Sequence, residues 1–555
     1  MSRSFSVSTI YMAALILLVI SLPLSQFTMS IATYIMVALW FAWDWKAAEL
    51  KENFKESSWS KGFANAVNYL FQKSVSGVKA RSIAFYKNKP ALVFSLLFFV
   101  RIIWLVNTTD FSYALRDLRV TLPLLFFALL FSSVPKVNQR QFHLLLYFYL
   151  AALLVASLIG FYILLQNNYT DIREISPFIA PIRMGLNLTF GIFILLYFVL
   201  KESLFSFVLR ILFGLTALWF LIFLNYMESL TSIIIFVLIG LGILVYQVFH
   251  SGTKFIKTLL VLLILLIPSA LYFIVKNEVI RDTTPPDILQ STLAQQTTLG
   301  HPYTFDKNMG VEDGKYVGLY LCIPELKKAW NERSTFSFSG KDKLNQQLSQ
   351  TLIRYLTSKN LRKDSAGVAA LTRADIRRIE EGVANYNYVV HPGFHSRLLK
   401  IITGYDVYKK TGNASGSSVM QRWIYLKASL KIINHYFWTG VGTGDVHEAF
   451  AHEFSEMNTG LKKQYMHLAH NQFLESFVAF GIFGFLIFLL ALFYPPVALH
   501  SFRNHYFAVF YTIMLLSMFS DNTLETPDGA FLFAFFSSLL LFGSEQKPAD
   551  NQVTV

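Results

Sequence analysis

The chain has 555 residues, of which 54% are hydrophobic and only 15% are charged. Because soluble proteins carry about 25% charged residues, this composition excludes a series of soluble domains and indicates a membrane protein. The net charge of +14 does not indicate nucleic-acid binding, since the basic residues do not gather on one soluble domain and many lie in short loops between apolar runs.

Apolar runs that could cross a membrane recur along the chain. A spanning helix needs roughly 20 mostly apolar residues. The first run is followed closely by a second without a small-residue cleavage pattern, so we interpret it as a retained helix and not as a signal peptide. The predicted fold class is therefore all-α, a polytopic membrane protein with one large, mostly helical loop. About twelve spans are predicted, at 8–24, 27–43, 90–106, 120–134, 142–165, 183–200, 205–225, 229–249, 255–275, 477–497, 505–521 and 528–544.

These spans divide the chain into four segments. They are N-terminal membrane helices over 1–275, a large loop over 276–469, C-terminal membrane helices over 470–544 and a tail over 545–555. The stretch 44–89 is rich in lysine, and short basic loops remain in the cytoplasm. We therefore expect both termini to lie inside and the large loop to lie outside.

Patterned sequence runs through the large loop. Leucine and isoleucine recur at helical spacing over 344–356, and Thr372 followed by Asp375 is typical of a helix start. The turn-rich stretch 411–418 separates this part from the rest of the loop. A mostly helical subdomain is the expected structure for roughly 280–415.

A histidine motif stands where the loop re-enters the membrane. His470 and Asn471 directly precede an apolar run that contains Gly481 and Gly484, in the sequence HNQFLESFVAFGIFG. The imidazole would then lie near the outer lipid–water boundary, and the glycines would permit close helix packing. An interfacial histidine beside an ordinary glycine packing pair explains the spacing alone equally well.

An amphipathic stretch with a glycine-rich turn lies upstream of this motif. Arg422 opens the stretch, and the predicted apolar face comprises Trp423, Leu426, Leu430 and Ile433. Gly440, Gly442 and Gly444 follow as a flexible turn, whose N–H groups could form an anion-binding nest. The alternative, favoured without other evidence, is an interfacial helix joined to the next element by a glycine loop.

Further charged residues lie close to predicted span ends. Arg183 is placed at the outer end of its span, where it could snorkel to lipid headgroups or bind a phosphate through a bidentate guanidinium. Arg101 is set deeper in its run, and a structural ion pair is as plausible there as substrate binding. Asp521 and Glu525 could orient the histidine or the arginines, although ending one helix and beginning the next is the preferred explanation.

Several motifs of other enzyme classes are absent from the sequence. There is no Gly-Lys-Ser/Thr phosphate loop and no HExxH zinc helix. The single cysteine, Cys322, excludes an intramolecular disulfide framework and a cysteine-rich metal site. We therefore expect no cofactor and no catalytic metal, and a membrane enzyme without a nucleotide site needs an already activated donor.

Taken together, the span count, the large loop and the HN-x9-GxxG motif resemble the O-antigen ligase and polymerase superfamily. The stretch from Arg422 to Gly444 is similar to the loop pattern of that family, with Tyr436 and Phe437 where members often have proline and leucine. Arg183 matches the family's arginine before the middle helices. An arginine that members often carry near residues 230–232 is missing here, which removes support for a third arginine in the site.

The resemblance implies a glycosyltransferase of the bacterial inner membrane with its large loop in the periplasm. It would move a glycan from undecaprenyl pyrophosphate to a hydroxyl acceptor, by inversion and without a metal. His470 would be the general base, and Arg183 and Arg422 would bind the pyrophosphate. The supporting residues would be Asn471, Gly442, Gly444 and Glu525.

The acceptor is left open among three activities of the superfamily. Ligation of O-antigen to lipid A core is preferred, and the alternatives are a polysaccharide polymerase and a protein O-oligosaccharyltransferase. A transporter of lipid-linked sugar is the non-enzyme alternative, but it would place ionisable groups near the bilayer midplane. The expected partners are thus the lipid-linked donor, the acceptor and membrane lipids, and no nucleic acid.

Overall fold

The computed structural model describes residues 7–46, 49, 52, 59–166, 169, 171–200, 205–284, 293–390 and 393–545. The predicted tail therefore lies outside the described residues except for Glu545. Helices dominate the described chain. Their bounds are α1 Val7–Leu24, α2 Gln26–Phe41, α3 Trp59–Lys87, α4 Lys89–Phe94, α5 Leu96–Ile103, α6 Phe111–Ser133, α7 Gln139–Gln166, α8 Pro181–Leu200, α9 Phe207–Tyr226, α10 Leu230–His250, α11 Lys254–Thr283, α12 Ile323–Arg333, α13 Leu348–Ser358, α14 Ser365–Ala369, α15 Arg373–Glu380, α16 Asn387–Val390, α17 Phe394–Thr411, α18 Ser418–His435, α19 Val446–Glu456, α20 Gln472–Ala498, α21 His505–Met518 and α22 Pro527–Ser538.

Apolar helices occupy all twelve positions predicted as spans. Among the described residues, seven of these helices are long and apolar enough to cross a membrane. The others are shorter or interrupted, except α6, which has 23 residues but carries Arg116, Asp117 and Arg119. The predicted span 90–106 is broken at Ser95 into α4 and α5, and a short 3-10 turn follows. The helix predicted over 120–134 begins at Phe111, because Asp110 caps its first turn through Tyr113 N–H. The helical membrane class is confirmed, while the number of crossings stays a prediction.

The membrane core is built from aromatic side chains on helices that are apolar on most sides. Phe127 and Phe131 of α6 pack against Phe531 and Phe535 of α22, with ring centroids 5.1–5.8 Å apart. All four are almost completely buried. A helix that is apolar all round has to be surrounded by other helices or lipid, and α6 and α22 meet this requirement by packing on each other.

The first part of the large loop folds around its own hydrophobic core. Trp330, Leu352, Leu356 and Ile379 are completely buried there. Helix α15 begins as predicted, because the Thr372 side chain and the Asp375 carboxylate form a reciprocal capping box.

A β-hairpin in this subdomain is an exception to the otherwise helical fold. Strand β1 (Thr304–Glu312) pairs antiparallel with β2 (Lys315–Leu321), and Glu312 faces Lys315 across the turn. The two turn residues, Asp313 and Gly314, have φ values of 58° and 70°. An Asp-Gly pair with both residues at positive φ is the preferred two-residue hairpin turn, so the hairpin follows from local sequence.

The last part of the loop is continuous with the membrane helices. Tyr425 of α18 and Phe450 and Phe454 of α19 share one core with Val478 and Phe480 of α20. Helix α18 buries Ile424, Tyr425 and Ala428, whereas Trp423 and Leu430 of the predicted apolar face are exposed. The face that packs is therefore not the predicted one. This core fixes the end of the loop on the helix that carries the histidine motif.

Candidate active site

His470 lies at the junction between the loop and α20. Its backbone is left-handed, with φ at 48°, a conformation that few residues other than glycine adopt. Asn471 then caps α20 by accepting hydrogen bonds from the N–H groups of Phe473 and Leu474, and it donates to the Phe519 carbonyl at 3.0 Å. The left-handed residue and the cap together set the point at which α20 begins.

The imidazole is held between an aromatic ring and a carboxylate. It stacks on Tyr425 with ring centroids 5.6 Å apart and 28° between the planes. Its Nδ1 is 3.4 Å from Oδ1 of Asp521. About a third of the side chain, 34%, stays exposed. Among the described residues Nε2 has no hydrogen-bond partner, so this nitrogen is available to a ligand.

Asp521 links His470 to Arg183. The Arg183 guanidinium donates to the other carboxylate oxygen of Asp521 at 2.6 Å and to Oγ1 of Thr526 at 2.9 Å. Burial by itself would raise the pKa of Asp521, but the charge of Arg183 and the contact with His470 outweigh it and hold the pKa at about 2. Arg183 is only 2% exposed, so it reaches the histidine through Asp521 and does not itself line the open space.

The open space next to His470 is a cavity of about 490 Å³. Arg422 faces it from α18, and burial lowers the pKa of this guanidinium while the charge of Asp521 opposes that effect. In the described part of the chain, no hydrogen bond or ion pair engages Arg422. The cavity thus offers a cation and a histidine nitrogen on largely apolar walls. The lining residues are Tyr405, Tyr408, Val419, Met420, Arg422, Trp423, Leu426, Ala469, His470, Asn471, Leu474 and Phe519.

A second ionic group, centred on Arg101, does not line the cavity. Arg101 is fully buried and binds Asp117 at 2.9 Å and Glu525 at 2.7 Å. Gln472 donates to Glu525 at 3.1 Å and accepts from Leu524 N–H at 2.7 Å. Glu525 therefore supports the site through Arg101 and the start of α20, and it does not contact His470.

Glu475 braces both sides of the histidine–aspartate contact. One of its oxygens accepts from Ala469 N–H at 3.1 Å and from the Asn522 side-chain amide at 3.2 Å. Ala469 precedes His470 and Asn522 follows Asp521. A single buried carboxyl group thus holds the two short segments at a fixed separation.

The glycine turn serves packing and not anion binding at the predicted positions. Gly442 donates its N–H to the Ala479 carbonyl at 2.9 Å, and Gly444 donates to Thr108 Oγ1 at 3.2 Å. Gly481 breaks α20 with φ at 59°, and a Cβ there would lie 2.5 Å from the Gly440 nitrogen. The nest suggested for Gly442 and Gly444 is therefore not formed, and the turn instead locks against the break in α20.

The sequence predicted His470 and Arg422 as site residues, and the structure places both at one cavity. For Asp521, a helix boundary was the preferred explanation. Gln472 and Asp117 were not identified at all. The role of Asp117 could have been predicted, because an acid within an apolar helix needs a buried cation. Arg101, set deep in its own apolar run, was a candidate for that cation. Nothing in the sequence gave a comparable signal for Gln472.

One group of possible metal ligands lies elsewhere, in the loop subdomain. Within the described ranges, the ligand atoms of His301, Cys322 and Glu325 lie within 4.8 Å of one another. None of the three lines the cavity beside His470. The chemistry available at the cavity is therefore that of an oriented imidazole and a nearby guanidinium, a base and an anion-binding cation.

Comparison with known protein families matches residues 368–489 to the family described as O-Antigen ligase. The matched stretch contains Arg422, the glycine turn, His470 and Gly484, while Arg183 and Asp521 lie outside it. A comparison with curated proteins gives no match.

Proposed function

We propose that this protein transfers a glycan from undecaprenyl pyrophosphate to a hydroxyl acceptor. The match of residues 368–489 to the O-antigen ligase family supports this proposal. The observation that carries the proposal is the chain of contacts from Arg183 through Asp521 to His470 at the edge of a cavity that Arg422 also faces. A base beside an anion-binding cation is what transfer from a pyrophosphate donor requires.

His470 acts as the general base in this proposal. Asp521 holds Nδ1, so Nε2 accepts the proton of the acceptor hydroxyl. The hydroxyl oxygen then forms a bond to the anomeric carbon as the bond from that carbon to the pyrophosphate oxygen breaks. The leaving pyrophosphate keeps the electron pair of the broken bond, and displacement from the opposite face inverts the anomeric configuration.

Arg422 neutralises the charge that develops on the pyrophosphate. It is the direct ligand, because it faces the cavity and no described residue engages its guanidinium. The charge of Arg183 is compensated by Asp521, so Arg183 positions that carboxylate and does not bind the pyrophosphate. A guanidinium supplies this stabilisation without a metal.

Ligation of O-antigen to lipid A core is our proposed reaction, at the periplasmic side of the inner membrane. The donor is a charged, lipid-anchored molecule and has to be met at a membrane boundary. His470 stands where the loop passes into an apolar helix, which supports this location. Joining of repeat units and transfer to protein hydroxyls would use the same base and cation, so the acceptor decides between the three activities.

Reconstitution with separate acceptors tests the proposal. Purified protein in detergent is mixed with lipid-linked glycan and with lipid A core, a second lipid-linked glycan or an acceptor protein, and the products are analysed. We expect glycan on lipid A core, with loss of product in His470→Ala. Product with only one of the other acceptors would reassign the activity, and absence of product with all three would support a transporter.

A further inference from the structure

Helix α3, over Trp59–Lys87, presents two different faces. One face packs on the protein, since Ala66, Gly77 and Arg81 are buried along it. Arg81 binds Asp44 at 2.5 Å and lies 5.2 Å from the Trp40 ring centroid. This face fixes the helix against the end of α2, a short apolar helix at a predicted span.

A second, adjacent face is apolar and largely exposed. Phe63, Val67, Phe71 and Val75 follow one another at four-residue spacing, which places them along one side of the helix. All four are exposed, and Phe71 is 68% exposed. Such a row of large apolar side chains is costly to leave in water, so this stripe needs an apolar environment.

The charge of α3 is entirely positive. Its 29 residues contain five lysines and arginines and no acidic residue. Arg81 and Lys73 are paired with Asp44 and Glu49. Lys61, Lys79 and Lys87 have no acidic partner among the residues that the structure describes. A helix with an apolar stripe and unpaired lysines carries the features of helices that lie in a membrane surface.

We propose that α3 lies in the membrane interface and binds an anionic lipid surface, with the stripe of Phe63, Val67, Phe71 and Val75 among the acyl chains. Charge complementarity supports lipid as the occupant, because lysines flank the stripe and anionic headgroups would meet them. Continuity supports it as well, since α3 is followed after Asn88 by α4 and α5, the start of the next apolar segment.

The position of α3 in the membrane interface also influences the position of α5. Helix α3 is separated from α4 only by Asn88, which caps α4 through Ala91 N–H. Arg101 stands on α5. An interfacial α3 would thus fix the depth at which the segment leading to Arg101 enters the membrane.

Spin labels report the depth of single positions on the full-length protein. Because Cys322 is the single cysteine, a Cys322→Ser background allows labels at Phe71→Cys and, as a matched control on the neighbouring polar face, Gln72→Cys. The labelled protein is placed in vesicles of phosphatidylcholine with added phosphatidylglycerol. Collisions of each label with oxygen, which concentrates in lipid, and with a water-soluble nickel complex are then compared.

We expect the Phe71 label to be reached by oxygen and protected from nickel, and the Gln72 label to show the opposite. Without phosphatidylglycerol, and in a Lys61→Gln/Lys79→Gln variant, the Phe71 label should become more accessible to nickel. A Phe71 label open to nickel in every vesicle overturns the proposal. Protection from both reagents also overturns it, since a second copy of the chain would then cover the stripe. Protection that does not change with lipid charge refutes the anionic preference.

Discussion

The contact between His470 and Asp521 gives the imidazole one fixed nitrogen and one free nitrogen. Nδ1 faces the carboxylate at 3.4 Å, and the ring stacks on Tyr425. An orienting carboxylate keeps a histidine in the tautomer whose other nitrogen can accept a proton. The site therefore depends on Asp521 and Tyr425, which orient the imidazole, as well as on His470 itself.

Substitutions of His470 and of Asp521 should lower kcat to different extents. His470→Ala removes the proposed base and should lower kcat about 10²–10⁴-fold. Asp521→Asn keeps the shape but loosens the ring, and a misplaced base costs about 10²-fold. Both are measured as product formed from lipid-linked glycan in detergent. His452→Ala, an exposed histidine away from the cavity, is the control. Wild-type kcat in His470→Ala would disprove the base assignment.

Arg422 should control donor binding more than turnover. Arg422→Lys keeps the positive charge but loses the planar fork that binds a phosphate through two N–H groups. We expect donor binding to weaken about tenfold or more, seen as a higher KM for the lipid-linked donor. Arg373→Lys, on the exposed surface of α15, should leave the KM unchanged. An equal KM in both variants would argue against a pyrophosphate contact.

Residue identities were easier to predict than residue partners. His470 and Arg422 stood out because each stands at the start of an amphipathic or apolar stretch of the sequence. Asp521 did not, because an acid before a helix is ordinarily a boundary residue. Its partner Arg183 is far away in the chain, and such a pairing depends on how the membrane helices pack.

At the scale of elements, the break in α20 is the clearest structural requirement. Gly481 has φ at 59°, and a Cβ would collide with the nitrogen of Gly440 and the carbonyl of Trp438. The break lets the glycine turn pair with Val478 and Ala479 through backbone hydrogen bonds. The proposed site therefore depends on a glycine that touches no substrate.

Gly481→Ala should destabilise the protein by about 1–3 kcal/mol, the cost of an unfavourable backbone conformation. Thermal unfolding in detergent measures this as a lower Tm. Gly240→Ala is a matched control, because Gly240 lies in α10 with open space around it. There alanine should be neutral or slightly stabilising, since it favours helix. A normal Tm for Gly481→Ala would mean that the break is dispensable.

Helices were predicted well at this scale because each apolar run is long and uniform. The hairpin of β1 and β2 was missed although Asp313-Gly314 carries its signal, because the surrounding loop was interpreted as helical. The buried face of α18 was also assigned wrongly. Its larger apolar residues, Trp423 and Leu430, point outward, and only the tertiary contacts with α19 and α20 decide which side is buried.

For the whole molecule, Arg101 connects parts that are distant in sequence. It joins α5 to Asp117 of α6 and to Glu525 before α22. Removing one partner of a buried ion pair costs about 3–5 kcal/mol because the remaining charges stay uncompensated. We expect Arg101→Leu to lower the Tm strongly, whereas Arg119→Leu, an exposed arginine of α6, should not. Similar Tm values for the two variants would exclude a structural role of this network.

Asp521 also connects parts that are distant in sequence, because it bridges Arg183 of α8 to His470 before α20. Its pKa is lowered from 3.8 to about 2. A carboxyl group with a depressed pKa in the folded state stabilises the fold above its ordinary pKa, and this contribution is lost as the pH falls through the folded value.

The Tm difference between wild type and Asp521→Asn should therefore be constant from neutral pH down to about pH 4. It should shrink below that pH, as the wild-type carboxyl takes up its proton on the way to its folded pKa of about 2. Thermal unfolding of both proteins across a pH series measures the difference. A difference that already shrinks near pH 6 would show that Asp521 is not held ionised by Arg183.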